Sequence, residues 1–193
     1  TARVVNLSTE KISSSRPTLN NLKVMLAQII DVDGFTGIAE IYMLDLQTRE
    51  ELQFAYSAGE QLNPGIAFSA LSTIKIPIMI DVYRHLSEPI DPEYYTLLEG
   101  MIIYSQNESS DALMKRVIDP SWGPLNVTET VENLGLENTF LAGMFYNGAP
   151  LLKVINTPAN TRTDVVTSPD IYSQTTPTEM GQLLDDIYQC SQN

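Results

Sequence analysis

The chain has 193 residues, 43% of them hydrophobic and 18% charged, which is enough to bury one substantial core or two small ones and argues against a disordered or fibrous chain. Eleven Lys plus Arg against 24 Asp plus Glu give a formal charge of -13, so a phosphate backbone would be repelled and nucleic acid is a poor partner. One cysteine, Cys190, and one histidine, His85, leave no internal disulfide framework, no zinc-ligand spacing and no Ser-His-Asp triad unless His85 serves it.

Residues 1–16 are polar and lack sustained periodicity, with Ser13, Ser14 and Ser15 leading into Pro17, and read as a tail or linker. Because the chain opens on Thr1 rather than methionine, it is expected to start after a removed signal peptide, a removed propeptide or an arbitrary boundary within a longer chain. From Thr18, the residues Leu19, Leu22, Met25, Leu26, Ile29 and Ile30 recur at helical spacing until Asp31 to Gly34. Phe35 to Asp45 and Leu52 to Ser57 are rich in strand-forming residues, and the polar stretch Gln47 to Glu50 between them predicts a hairpin. A turn at Asn63 to Gly65 precedes FSALSTIKIPIMIDVYRHL, where Ser72 is expected to open an apolar helix with Pro77 tolerable near its start.

Asp91 and Pro92 begin the next predicted helix, which Ser105 to Ser109 interrupts and Asp111 to Ile118 resumes. Helices follow at Val127 to Leu134, stopped by Gly135, and at Pro177 to Tyr188, where Thr176 and Glu179 have the spacing of a capping box. Gly143 to Thr175 is a long stretch rich in Asn, Thr, Pro and Asp, of a length that tends to be functional or mobile. The order is thus helix, hairpin, then helices only. No apolar run approaches the roughly 20 residues that span a bilayer, and the best one, Ile74 to Ile80, contains Lys75; a soluble chain is expected.

A serine hydroxyl needs an adjacent base and a place for the oxyanion. Ser72 at a helix start would have unpaired N–H groups beside it. Lys75, one turn on, lies on the same face; if buried, its ammonium would be driven toward the neutral amine that accepts a proton. The pattern alone says little, since Ser8 and Lys11 repeat it in the tail. On pattern and context, a Ser/Lys pair and an N-cap serine followed by a solvated lysine stand level. His85, after Tyr83 and Arg84 at the polar end of the helix, reads as a surface or boundary residue. Ser105-Gln106-Asn107 could face the pair, the hydroxyl passing a proton and the amide holding a substrate carbonyl or N–H. A helix joint in which Ser105 or Asn107 merely caps is the alternative, and Ser191-Gln192-Asn193 repeats the motif at the chain end.

Together S-x-x-K at Ser72 and S-x-N at Ser105, with STIKIPI, YSQNESSDAL and TTPTEMGQLL around them, resemble the β-lactamase and penicillin-binding protein superfamily, and class A β-lactamases most closely, over Leu19 to Tyr188. The resemblance implies an α+β, β-lactamase/transpeptidase-like fold, with residues 17–193 as an incomplete domain divided into a mixed part, 17–71, and a mainly helical part, 72–193. It implies Ser72 as nucleophile, with its own N–H as half of the oxyanion hole. Lys75 would be the base partner, Ser105 the proton shuttle and Asn107 a ligand of the substrate amide. A β-lactam or peptidoglycan-like substrate and a location outside the cytoplasm follow from the resemblance, and no metal or organic cofactor is required. The alternative within the resemblance is an inactive relative that binds peptidoglycan or a protein partner.

Three departures qualify this. No Lys-Thr-Gly or His-Thr-Gly strand follows the last helix before Asn193, so the third motif and the remaining strands are expected from a missing C-terminal segment or a second chain. The long loop has no counterpart of the class A glutamate that activates the deacylating water: Asp164 and Asp170 are its only carboxylates and read as solvated residues. A long-lived acyl-enzyme, peptidase-like or slowly hydrolysing, is therefore expected. Finally, Ser72 and Ser105 are only 33 positions apart, which shortens one wall of the cleft and predicts a more open site.

Overall fold

The structure, a computed structural model, describes residues 18–192. The tail expected at 1–16, with its copy of S-x-x-K at Ser8 and Lys11, lies outside the described residues, as does Asn193. Helix α1, Leu19–Val32, starts where its N-cap Thr18 accepts the Asn21 N–H at 3.3 Å. Strands β1, Ile38–Leu44, and β2, Glu51–Ser57, form the expected antiparallel hairpin, with Ile38 opposite Ser57 and Leu44 opposite Glu51. Asp45 turns the chain between them by accepting the N–H groups of Gln47 and Thr48 at 2.8 and 3.0 Å.

The sheet is larger than expected. Strand β3, Glu60–Leu62, adds to β2 through a tight turn whose residues Ala58 and Gly59 both have positive φ, 48° and 87°. A three-residue strand after an Ala-Gly turn carries too little alternation to be read from sequence. Helices α1 and α6, the latter at Pro177–Gln192, pack on β2 and β1 respectively. Part of the apolar stripe that marks α1 in the sequence stays outward, with Val24, Met25, Ile29 and Val32 exposed.

The expectation of helices only after the hairpin is also corrected. Strands β4, Phe68–Ser69, β5, Phe140–Leu141, and β6, Ser173–Thr175, make a second antiparallel sheet in the order β4-β6-β5. The chain is therefore mixed α+β, with two small sheets and six α-helices among the described residues. The segment that was expected to be mainly helical contributes β5 and β6 to a sheet.

Ser72 lies in a single 3-10 turn, Leu71–Ile74, and α2 proper begins at Lys75 and runs to His85, which moves the predicted helix start by three residues. Helix α3, Pro92–Ile102, is capped by Asp91, whose carboxylate accepts the Glu93 N–H at 2.8 Å. The break after it is shorter than predicted, because α4 already starts at Asn107 and runs to Leu113 before a π-helical turn at Met114–Ile118. Helix α5, Gly123–Asn133, ends before Gly135 at φ 88°. Every fourth residue along the serine segment, Ala70, Ile74, Ile78 and Val82, is 2% exposed or less and meets Leu98, Met101, Leu113, Met114, Val127 and Leu141 in the main core. Burying each large aliphatic side chain there contributes about 1.5–3 kcal/mol, so the segment that presents Ser72 is firmly anchored in this core.

The long loop ends in β6, and the rest is tied down rather than loose. Arg162 donates to the carbonyls of Pro64 and Asn63 at 2.8 and 3.0 Å, Asn160 donates to Gln174 Oε1 at 2.9 Å, and Asn138 Oδ1 accepts the Ala159 N–H at 2.8 Å. Only half of the predicted capping box forms at α6. Thr176 accepts the Glu179 N–H at 3.3 Å, while the Glu179 carboxylate turns instead to Asn138 and Thr139. Among the described residues no helix is long and apolar enough to cross a membrane.

Candidate active site

Two chain breaks meet at one point. The first is the 3-10 turn of Ser72, pinned to the second sheet through the Ala70 N–H, which donates to Ser173 O at 3.1 Å. The N–H groups of a first helical turn have no partner within the helix, and the Ser72 N–H is one of these. The second break is the α3–α4 joint at 103–106, where the Gln106 N–H returns to Gly100 O at 3.0 Å. Glycine is needed at 100 because a Cβ there would stand 2.6 Å from Ser109 Oγ and 2.7 Å from Gln106 Oε1.

All four residues singled out from the sequence come together around one nitrogen. Lys75 Nζ lies 3.3 Å from Ser72 Oγ, 3.1 Å from Ser105 Oγ, 2.7 Å from Ser105 O and 2.8 Å from Asn107 Oδ1. Ser105 Oγ is 2.9 Å from Ser72 Oγ, which closes a triangle of two hydroxyls and the amine. Lys75 is 3% exposed, and burial pulls its pKa below the ordinary lysine value, against a smaller opposing pull from the Glu108 carboxylate. The solvated-lysine alternative does not describe this side chain. Nor is Ser72 an N-cap in the sense considered, since its hydroxyl faces Lys75 and Ser105.

The backbone is held in the left-handed region at Leu71 (φ 50°), next to Ser72, and at Ser105 (φ 54°). For a residue with a Cβ this costs on the order of 1 kcal/mol. Ser105→Gly is thus expected to be more stable than Ser105→Ala, by up to about 1 kcal/mol, since both lose the hydroxyl that links Lys75 to Ser72 and only glycine relieves the positive φ. Thermal melts check this; a glycine variant that melts no higher than the alanine one would remove the strain account.

Two residues at the site escaped the sequence reading. Asp111 is 7% exposed and accepts the Phe145 N–H at 2.8 Å; burial raises its pKa above the usual carboxylate value. Its position four residues after Asn107 on α4, one helical turn away, is a signal that could have found it. Phe145, in the loop, places its ring centroid 5.3 Å from Lys75 Nζ; nothing in the sequence marks it. The carboxylates Asp164 and Asp170 are exposed, Asp164 being ion-paired with Arg162 at 2.6 Å.

His85 sits ten residues along α2 from Lys75, about 15 Å at the helical rise. Its Nδ1 is 2.8 Å from Asp81 O, with the side chain 41% exposed, so it is a boundary residue and does not serve Ser72. Among the described residues no group of three or more His, Cys, Asp or Glu could hold a metal ion. Compared with known protein families and with curated proteins, the sequence finds no match in either.

Proposed function

We propose that Ser72 is the acylated nucleophile of a serine acyltransferase or hydrolase of the β-lactamase and penicillin-binding type, acting on β-lactam, peptide or ester carbonyls. The observation that carries this is the buried amine of Lys75 within hydrogen-bonding reach of two hydroxyls, those of Ser72 and Ser105. The helix, hairpin, serine helix and helical run in that order support the same fold family.

In this mechanism neutral Lys75 takes the Ser72 proton, directly across 3.3 Å or through Ser105 by way of its 2.9 and 3.1 Å contacts. Ser72 Oγ bonds to the carbonyl carbon, and the oxyanion is met by the Ser72 N–H. The proton then passes from Lys75 through Ser105 to the leaving nitrogen as its bond to carbon breaks. Asn107 Oδ1 faces Lys75, which leaves its Nδ2 to donate to a substrate carbonyl. The protein would work outside the cytoplasm.

A fluorescent penicillin incubated with the full-length protein, followed by peptide mapping, tests the proposal. A covalent adduct on Ser72 is expected. If no adduct forms at high reagent concentration, the enzyme reading falls for penicillins, and a non-catalytic binder of peptidoglycan or of a protein partner takes its place.

A further inference from the structure

The chain has one tryptophan, Trp122, and it belongs to neither buried core: it is 54% exposed. Its backbone is nevertheless fixed. Asp119 Oδ1 accepts the N–H groups of Ser121 and Trp122 at 2.8 and 2.6 Å, and Trp122 O accepts those of Leu125 and Asn126 at 2.9 and 3.0 Å as α5 begins.

Trp122 forms one wall of a cavity of about 330 Å³ where the π-helical turn, the start of α5 and the long loop meet. Lys115, Pro120, Tyr146, Pro150 and Leu152 line it too, whereas Ser72, Lys75, Ser105 and Asn107 do not. A concave site of this size, walled mainly by apolar and aromatic side chains with a few polar groups, has the anatomy of a small-molecule pocket.

Charge narrows what can enter. The chain as a whole has a formal charge of -13, yet no carboxylate lines this cavity and Lys115 is its one charged lining residue. Lys115 Nζ stands 4.4 Å from the centroid of the Tyr146 ring, which holds the ammonium at the wall. The Asp111 carboxylate, one helical turn back, interacts with this charge but is 7% exposed and accepts the Phe145 N–H. Lys115 itself is exposed, and a ring face cannot satisfy all three of its N–H donors, so the ammonium can receive an anion from solvent. A cationic ligand would be repelled at the same place.

We propose that this cavity binds a small carboxylate carried on a ring, with the ring against the Trp122 indole and the carboxylate at Lys115 Nζ. Tyr146 positions the amine. Aromatic acids and acidic sugars share this chemistry, since either ring presents a flat apolar face to the indole. The site does not depend on the acyl-enzyme reading above.

Because Trp122 is the sole tryptophan, its fluorescence reports occupancy of this cavity. Titration of the full chain with phenylacetate and with glucuronate should give a saturable change with at least one of them, at a Kd of about 1 mM. Binding of phenylacetate alone identifies an aromatic acid as the source, and of glucuronate alone an acidic sugar. The neutral amide of whichever binds, phenylacetamide or glucuronamide, should bind wild type up to about fivefold more weakly, the factor an exposed ion pair supplies. In Lys115→Met acid and amide should bind alike; Lys115→Gln serves if thermal melts show that the methionine variant is not folded. Benzylamine should give no saturable change.

The proposal is overturned if neither acid produces a saturable change. It is overturned equally if the preference for acid over amide survives in the Lys115 variants, or if benzylamine binds as tightly as phenylacetate.

Discussion

Lys75→Met should slow acylation of Ser72 by about 10³-fold or more while leaving the fold intact. The amine touches both hydroxyls and is 3% exposed, and no other basic side chain contacts them among the described residues. Methionine fills a similar volume and removes only the nitrogen. Labelling kinetics with a fluorescent penicillin measure the loss, and circular dichroism reports the fold. A variant that labels at the wild-type rate would show that Lys75 is not the base.

The pH dependence has a determined sign. Burial disfavours the ammonium and lowers the Lys75 pKa in the folded state, so the neutral amine appears at lower pH than it would on an exposed lysine. Acylation should rise with pH along this limb, and the limb should vanish in Lys75→Met. The same shift acts on stability. The folded state releases this proton more readily than the unfolded one, so wild type gains stability relative to Lys75→Met as pH rises toward the ordinary lysine value.

The second large effect is structural. Glu179→Ala should destabilise the protein by about 3 kcal/mol and loosen the loop at 143–172. The carboxylate is 6% exposed and accepts the Asn138 N–H at 2.8 Å, Asn138 Nδ2 at 2.7 Å and the Thr139 hydroxyl at 2.6 Å. Alanine would leave both half-buried Asn138 donors without this acceptor and the buried Thr139 hydroxyl with only Thr175 Oγ1, at 2.8 Å. Asn138 in turn holds the Ala159 N–H at 2.8 Å, which carries the loss into the loop. Urea unfolding and limited proteolysis measure the two consequences, and Glu179→Gln, which keeps an acceptor, should cost less. Wild-type urea midpoints in Glu179→Ala would refute the bracing role.

The helices and the first hairpin were legible because their periodicities are local. Thr18, Asp91 and Gly135 mark boundaries through caps that involve neighbours in the chain. Strands β3 to β6 were not legible: with two or three residues each they show no alternation, and the partners of β4 to β6 lie far off, as Phe68 does from Thr175. Half of the capping box failed for the same kind of reason. Glu179 had better partners in Asn138 and Thr139, some 40 positions away, than in its own helix start.

The site divides along the same line. The residues Ser72, Lys75, Ser105 and Asn107 could be chosen from the sequence, since their spacing places each pair at a chain turn. The sequence also determined the acidic charge and the presence of a single cysteine and a single histidine. Only the tertiary structure decided that the four meet around one buried amine, that Leu71 and Ser105 are held strained beside it, and that Asp111 carries the ring of Phe145 to it. Burial and encounter depend on segments distant in the chain packing against one another, and no local pattern of residue types records that.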